Sequence, residues 1–208
     1  MRFVAETKSH PIFARFWQFI SVREDEAGQS EYRKELLAGA RGRAIELGAG
    51  NGRNFPHYPA DVSQVVAVEP EPYLRARAVE AAERAAVPVE VVEGTDHPLP
   101  FDDESFDVAV ACLVLCSVPD QQRALAELRR VLKAGGELRF YEHVVPTRPR
   151  QAKLFRLADD SGIWPKIGAG CHCSRDTGTE IERAGFQVDR VRRLSFNGLP
   201  HILGVARA

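Results

Sequence analysis

Long apolar runs and disulfide-forming cysteines are scarce in this sequence. No stretch of its 208 residues approaches the ~20 consecutive apolar residues of a membrane span. The first residues lack the basic start, apolar middle and small-residue cleavage site of a signal peptide. The four cysteines are too few for a disulfide framework in a chain of this size. The sequence therefore predicts a cytoplasmic protein without a membrane span.

An excess of charge of one sign is also lacking. Lys and Arg total 28, Asp and Glu total 29, and the formal net charge is −1. Nucleic-acid-binding proteins usually carry a basic excess that meets the phosphates, so we expect no nucleic-acid partner. The length suits one buried core better than two.

Strand and helix patterns alternate from Arg43 onward. The helical stretches include "PYLRARAVEAAERA" and "DQQRALAELRRVLK", and the second is expected to stop at Gly135-Gly136. The strand candidates between them are rich in valine: "RAIEL", "QVVAVE", "VEVVEG", "FDVAVACL" and "ELRFYEHV". Continuous apolar strands separated by helices indicate a parallel sheet with both faces covered.

The two ends of the chain differ from this pattern. "FQVDRVRRLSF" and "HILGVARA" are joined by a short turn at Asn197-Gly198, so they must be antiparallel neighbours. Near the start, "HPIFARFWQFI" has the spacing of an amphipathic helix. We expect one domain over 1–208, with a helical cap at 1–40, a core at 43–208, and an irregular substrate-side insertion at about 146–172.

The stretch "AIELGAGNGRNF" leads from a strand into three closely spaced glycines. A dinucleotide fingerprint, G-x-G-x-x-G, would need its third glycine at position 53, which is Arg53. A short-chain dehydrogenase would also need a Tyr followed by Lys four positions later, and no tyrosine here meets that condition. Glu69 ends the second strand and is placed to bind a ribose in either cofactor class. The dinucleotide interpretation is therefore disfavoured.

Further motifs indicate a different cofactor. "EGTDHPLPFDDESFDVAV" and "LKAGGEL", together with the glycine stretch, cover residues 43–142. In order and spacing they resemble class I S-adenosylmethionine-dependent methyltransferases. The resemblance implies an α/β, Rossmann-like, doubly wound fold. Its sheet would have seven mostly parallel strands, an antiparallel C-terminal hairpin and N-terminal capping helices. It also implies S-adenosyl-L-methionine as cofactor and S-adenosyl-L-homocysteine as product.

The same resemblance assigns roles to cofactor-side residues. Glu46 and the loop Gly48–Gly52 would hold the methionyl end, Glu69 would accept both ribose hydroxyls, and Thr95 and Asp96 would meet the adenine. The full set of cofactor residues that it implies is Glu46, Gly48, Ala49, Gly50, Asn51, Gly52, Glu69, Pro70, Thr95, Asp96 and Leu113.

A narrower resemblance concerns the acceptor. "GNGRNFPHYP", "CLVLCSV", "EHV" and "GCHCSRDT" are similar to a subfamily that includes the mammalian methyltransferase-like thiol S-methyltransferases and soluble bacterial relatives. In place of the mammalian apolar anchor the chain has "HPIFARFWQF", and Ala169-Gly170 lack the acidic residue expected before Cys171. The resemblance implies methylation of a small molecule, with a thiol favoured. O- or N-methylation, and a non-catalytic S-adenosylmethionine- or nucleotide-binding module, remain alternatives.

Candidate acceptor-side residues follow from position. His143 ends the fifth strand, where it could take the acceptor proton, orient the acceptor or only hydrogen-bond the strand end. Phe13, Phe16 and Trp17 form an aromatic stripe over the pocket or plain packing, Trp164 is placed on the opposite wall, and Cys116 and His172 complete the predicted substrate set. The C-H-C stretch 171–173 would direct successive side chains to opposite sides, so no metal is predicted.

Overall fold

The computed structural model describes residues 11–168 and 170–208, and seven strands in it form one sheet. They are β1 (Gly42–Leu47), β2 (Val62–Val68), β3 (Val89–Val92), β4 (Phe106–Cys112), β5 (Leu132–His143), β6 (Gln187–Phe196) and β7 (Leu199–Arg207). Their order is β3-β2-β1-β4-β5-β7-β6. The pairings from β3 to β5 are parallel, whereas β7 is antiparallel to both β5 and β6. The predicted fold class is confirmed.

Helices cover both faces of this sheet. They are α1 (Pro11–Glu24), α2 (Ser30–Leu37), α3 (Pro72–Ala82), α4 (Gln121–Val131), α5 (Pro149–Asp160), α6 (Ile163–Ile167) and α7 (Thr177–Arg183). A π-helical turn, Asp25–Gln29, joins α1 to α2, and a short 3₁₀ turn spans Phe55–His57. Within the described ranges, no helix has the length and apolar character needed to cross a membrane.

The core has two layers, because successive side chains along each strand face opposite sides of the sheet. On β1, Ile45 belongs to a cluster that includes Leu125 and Leu128 of α4, whereas the neighbouring Ala44 belongs to a cluster that includes Leu36 of α2. Successive side chains on a strand face opposite sides, so a continuously apolar strand supplies both layers. Truncating a fully buried leucine in such a core typically costs about 2–5 kcal/mol of stability.

The C-terminal hairpin has the turn that its sequence predicts. Asn197 and Gly198 have φ angles of 49° and 79°, and the flanking Phe196 and Leu199 pair across the two strands. Two consecutive positive φ angles define the type I′ turn that suits a two-residue hairpin loop. The hairpin places β7 beside β5, so His201 pairs with His143 at the edge where the parallel strands end.

Two expectations about secondary structure were wrong. Helix α4 ends at Val131 rather than running to Lys133, because the backbone of Leu132 is extended and pairs with Phe106 of β4. The stretch from 146 to 170 is not irregular, since it contains α5 and α6. Pro149 occupies the first turn of α5, a position where proline favours helix initiation.

Candidate active site

The glycine loop follows β1 at the switch point between β1 and β4, where ligands of open α/β sheets bind. Gly48, Gly50 and Gly52 have φ angles of 64°, 58° and 77°, a region that glycine adopts without steric cost. A Cβ at Gly48 would collide with Val114, and one at Gly52 would collide with Phe55. The loop is therefore pressed against its neighbours along the backbone, and Ala49 is buried within it.

Glu69 joins the end of β2 to this loop. One carboxylate oxygen accepts the Gly50 N–H at 2.7 Å and the other accepts the Glu71 N–H at 2.9 Å. Burial raises the pKa of Glu69, although these two backbone donors oppose the change. Each carboxylate oxygen has more than one lone pair, so both can accept a further hydroxyl. Pro70 follows directly, and its carbonyl accepts a hydrogen bond from Arg75 at 2.9 Å.

Glu46 is a buried carboxyl near the end of β1, just before the glycine loop. Asn54 Nδ2 donates to one of its oxygens at 2.9 Å and the Tyr58 hydroxyl donates to the other at 2.7 Å. Burial raises the pKa of Glu46 to about 7, and the two donors limit that rise. A carboxylate held in this way is well suited to meet a cationic ligand group, which would favour its ionised form.

A buried arginine that the sequence patterns did not predict lies behind this carboxyl. Arg33 of α2 donates to Asn54 Oδ1 at 3.0 Å and to Asp25 at 2.9 Å, and it also contacts Gln29 and Cys112. Asn54 thus links the guanidinium to Glu46. No local sequence signal distinguishes this arginine from a solvent-exposed helix residue, because its partners come from distant segments.

Helix α1 lies over the glycine loop. Asn51 Nδ2 donates to Gln18 Oε1 and to Ser21 Oγ, each at 2.9 Å. A Cβ at Gly50 would lie 3.6 Å from Trp17 Nε1, so the indole also covers the loop. The Phe16 side chain on the same helix is 54% exposed. The Phe13 side chain lies outside the described residues.

Thr95 and Asp96, the residues expected at the adenine, lie beyond the end of β3, and Leu113 directly follows β4. Thr95 Oγ1 donates to the His97 carbonyl at 3.0 Å, and Asp96 lies 3.1 Å from His97 Nδ1, so both side chains are engaged within their own loop. Leu113 has a φ of 57°, and its N–H donates to the Tyr141 carbonyl at 2.7 Å. The left-handed backbone at a branched residue is a local strain that the strand pairing maintains.

Glu142 fixes the loop that follows β4. Its fully buried carboxylate accepts the backbone N–H groups of Val114, Leu115 and Cys116 at 2.9–3.2 Å. Burial raises the pKa of Glu142 to about 7, against the effect of these donors. Because its hydrogen bonds are taken by the backbone, Glu142 is a positioning residue and not a free base.

The end of β5 meets a cluster of sulfur atoms. His143 Nδ1 lies 3.6 Å from both Cys116 Sγ and Cys171 Sγ, which are 3.5 Å apart. Cys173 Sγ lies 3.6 Å from Cys171 Sγ and accepts the Trp164 indole N–H at 3.1 Å. Contact with the Cys116 and Cys173 thiols, together with burial, raises the pKa of Cys171.

Both histidines at this edge are neutral at physiological pH. Burial lowers the pKa of His143 to about 3 and that of His201 to about 4. Their ring centroids are 4.4 Å apart. His201 Nδ1 lies 2.9 Å from the Leu199 carbonyl and so carries the proton, which leaves Nε2 as an acceptor. That buried nitrogen has no hydrogen-bond partner among the described residues.

A cavity of about 350 Å³ opens beside His201, between α5 and the C-terminal hairpin. Its lining includes Pro146, Arg148, Phe155, Leu194 and His201. Of the predicted acceptor-side residues, His143, Cys116 and Trp164 are joined through the sulfur cluster. The His172 N–H donates to the Cys116 carbonyl at 2.8 Å, but its imidazole is outside the set of converging ligand atoms in the described chain.

Comparisons with known proteins agree with this architecture. The family described as "Methyltransferase domain" matches residues 45–140. Thiol S-methyltransferase TMT1B of Mus musculus is 34% identical over 208 residues, covering 94% of this chain and 84% of the mouse protein. The Rattus norvegicus TMT1B is 37% identical over 170 residues, covering 78% of this chain and 69% of the rat protein. A solved SAM-dependent methyltransferase from Thermotoga maritima superposes with a TM-score of 0.65 at 25% identity, covering 94% and 98% of the two chains.

Proposed function

Because this chain belongs to the S-adenosylmethionine-dependent methyltransferase family that includes the TMT1B thiol S-methyltransferases, we propose that it methylates the sulfur of a small-molecule thiol. Two relatives that match most of the chain carry that name, which supports a thiol as the acceptor. The chemistry of the β5 edge supports it as well.

The cofactor side of the site fits S-adenosylmethionine. Glu46 would meet the ammonium of the methionyl group, and both oxygens of Glu69 keep lone pairs for the ribose hydroxyls. When bound, the cofactor supplies an electrophilic methyl group on a sulfonium. The other residues that we propose to hold it are Gly48, Ala49, Gly50, Asn51, Gly52, Pro70, Thr95, Asp96 and Leu113.

The acceptor side favours a nucleophile that ionises easily. A general base works best when its pKa lies near the working pH, and burial holds the pKa of His143 at about 3. Glu142 is occupied by three backbone donors. A thiol with a pKa near ~8.5 needs little help to ionise, whereas a phenol near ~10 needs more. The scarcity of a strong base at this edge is the observation that carries the thiol assignment.

The residues of the β5 edge would then orient the acceptor. The neutral His143 would hold the acceptor sulfur by a hydrogen bond or position it indirectly. The His201 Nε2 lone pair would accept a polar hydrogen of the acceptor molecule. Trp164 and Trp17 would exclude water from the two ends of the site. For an in-line displacement, positioning and exclusion of water account for much of the rate.

Matched acceptors test this proposal. Thiophenol, phenol and aniline share one ring and differ in the nucleophilic atom, so the rate of S-adenosylhomocysteine formation compares sulfur, oxygen and nitrogen directly. We expect turnover with the thiol and little with the other two. Preference for phenol or aniline would identify an O- or N-methyltransferase. Cofactor binding without turnover on a wider acceptor panel would identify a non-catalytic binding module.

All four cysteines are free, which supports the reducing cytoplasm as the compartment.

A further inference from the structure

Three potential metal ligands converge at the carboxyl end of β5. Cys116 comes from the loop after β4, His143 ends β5, and Cys171 precedes α7. The two Sγ–Nδ1 distances are 3.6 Å and the Sγ–Sγ distance is 3.5 Å. Cys116 and Cys171 are buried and His143 is half-buried.

These spacings match one face of a tetrahedral zinc site. Zn–S and Zn–N bonds are about 2.3 Å and 2.0–2.1 Å, and the edges of such a tetrahedron are about 1.6 times longer, or roughly 3.3–3.8 Å. All three observed separations fall within that range. Two cysteines and one histidine are also a donor set that zinc prefers over harder cations.

Hydrogen bonds among the three side chains do not fully explain why their ligand atoms lie so close together. Cys171 Sγ lies within 3.6 Å of Cys116 Sγ, Cys173 Sγ and His143 Nδ1, yet a thiol has one proton to share among them. S–H hydrogen bonds are also weak. A cation placed between the sulfurs and the imidazole would satisfy all of the ligand atoms at once.

The backbone around the ligands is held in place. Glu142 accepts the Cys116 N–H at 3.2 Å, and the Cys116 carbonyl accepts the His172 N–H at 2.8 Å. Arg175 donates to the carbonyls of Leu115 and Val118 at 2.9 and 2.7 Å. These bonds tie the loop after β4 to the segment that carries Cys171. Outer contacts of this kind maintain ligand geometry in metal sites.

We propose that Cys116, His143 and Cys171 bind a zinc-class divalent cation and leave its fourth position open for an external thiol. Three protein ligands with an open position are the arrangement of catalytic rather than structural zinc. Cys173 is a neighbour and not a ligand, because its Sγ accepts the Trp164 N–H and lies outside the mutually close set.

The open position gives the acceptor thiol a route to ionisation, and this part of the inference rests on the proposed function. A thiol that coordinates the cation releases its proton to solvent. Its sulfur then forms a bond to the methyl carbon as the sulfonium C–S bond breaks, with the electron pair leaving on the homocysteine sulfur. The thioether product is neutral and a weaker ligand than a thiolate, so it departs.

Cobalt(II) is a spectroscopic probe for this site. The full chain is first stripped of metal with a chelator and then titrated with Co²⁺ alone. We expect one equivalent to bind with thiolate-to-cobalt charge-transfer and tetrahedral ligand-field absorption, and Zn²⁺ to displace it. Weak binding that is not saturable at one equivalent, or an octahedral spectrum without charge transfer, would overturn the metal site.

Variants of neighbouring cysteines provide the matched control. Cys171→Ser and Cys116→Ser should each weaken Co²⁺ binding at least about 100-fold, since changes to outer contacts alone typically cost 10–100-fold. Cys173→Ser, two residues from Cys171, should retain the wild-type affinity and spectrum. Equal loss in Cys173→Ser would contradict a three-ligand site. S-adenosylmethionine binding verifies that each variant is folded. If Cys171→Ser does not fold, Cys171→Ala is tested in its place.

Addition of thiophenol to the cobalt-loaded protein tests the open position. We expect the charge-transfer band to intensify as a third sulfur binds, and an unchanged spectrum would overturn the external ligand. The two proposals fail separately. Thiol turnover at an undiminished rate in protein that binds no Co²⁺ would leave S-methylation intact and remove the metal. Stoichiometric Co²⁺ binding without turnover of any thiol would leave the metal site and remove S-methylation.

Discussion

Glu69 accepts the backbone N–H of Gly50 across 2.7 Å, so the end of β2 is bonded directly to the centre of the glycine loop. We therefore propose two roles for the carboxylate. It braces the loop and presents its remaining lone pairs to the ribose hydroxyls. The conformation of the glycine loop therefore depends on Glu69, the same residue that would bind the ribose.

Removing the Glu69 charge should weaken cofactor binding. Charge-assisted hydrogen bonds contribute about 1.5–3 kcal/mol each, and 1.4 kcal/mol is tenfold in affinity. We expect Glu69→Gln to raise the Kd for S-adenosylmethionine at least about tenfold in calorimetric titration. Glu93→Gln, which changes an exposed carboxylate paired with Arg75, should leave the Kd within about twofold. Equal affinity in wild type and Glu69→Gln would remove Glu69 from the site.

Helix α1 should stabilise the glycine loop through Asn51. Replacing both Gln18 and Ser21 by alanine leaves the buried Asn51 amide without its acceptors, which typically costs about 1–3 kcal/mol. Chemical denaturation should therefore give a lower free energy of unfolding for the double variant. The control is Phe19→Ala on the same helix, where the ring is 53% exposed and the change should stay near about 0.5 kcal/mol. Equal free energies of unfolding for the two variants would show that the Asn51 hydrogen bonds do not stabilise the loop.

The buried Glu46 carboxyl should make stability depend on pH. Its folded pKa of about 7 exceeds its ordinary value of 4.5, so the folded state holds a proton that the unfolded state releases between these values. Stability from this group is present below about pH 4.5 and is lost as pH rises towards 7. Glu46→Gln cannot ionise. The melting temperature of Glu46→Gln minus that of wild type should therefore be larger at pH 8 than at pH 5. The same difference at both pH values would show that Glu46 titrates normally.

Loss of His143 should affect turnover most at low pH. A free thiol with a pKa near 8.5 is about 1% ionised at pH 6.5 and about three quarters ionised at pH 9. Assistance by His143 therefore matters less as pH rises. Because His143 is proposed to hold the cation that ionises the thiol, we expect His143→Ala to lower kcat/KM for a thiol by up to about 100-fold at pH 6.5, the gain from complete ionisation, and by less than about twofold at pH 9. The Kd for S-adenosylmethionine should be preserved, and an equal loss at every pH would indicate packing alone.

The cofactor half of the site was predictable because its signals are local. Glycines at 48, 50 and 52 directly follow an apolar strand, and Glu69 ends the next one, so strand order alone brings them together. Arg33 was not predictable. It lies on a short helix whose sequence suits a solvated face, and it is buried only because Asp25, Asn54 and Cys112 arrive from other segments.

The acceptor half depends on contacts between distant segments. Cys116, His143 and Cys171 have no metal-ligand spacing in sequence, and their convergence follows from β4, β5 and the segment before α7 sharing one edge. Helix α5 was missed for a different reason. Leu154 and Leu157 are 64% and 57% exposed, so the helix does not show the apolar stripe of a core-facing segment.

The reaction product identifies the atom that receives the methyl group. The purified protein is incubated with S-adenosylmethionine carrying a deuterated methyl group and with thiophenol, and the products are identified by mass spectrometry. We expect a thioether that carries the labelled methyl on sulfur, formed in equal amount to S-adenosylhomocysteine. This product should be lost in Glu69→Gln at a cofactor concentration below that variant's Kd. S-adenosylhomocysteine formed without labelled thioether, or label found on oxygen or nitrogen of another acceptor while thiols stay unmodified, would contradict it.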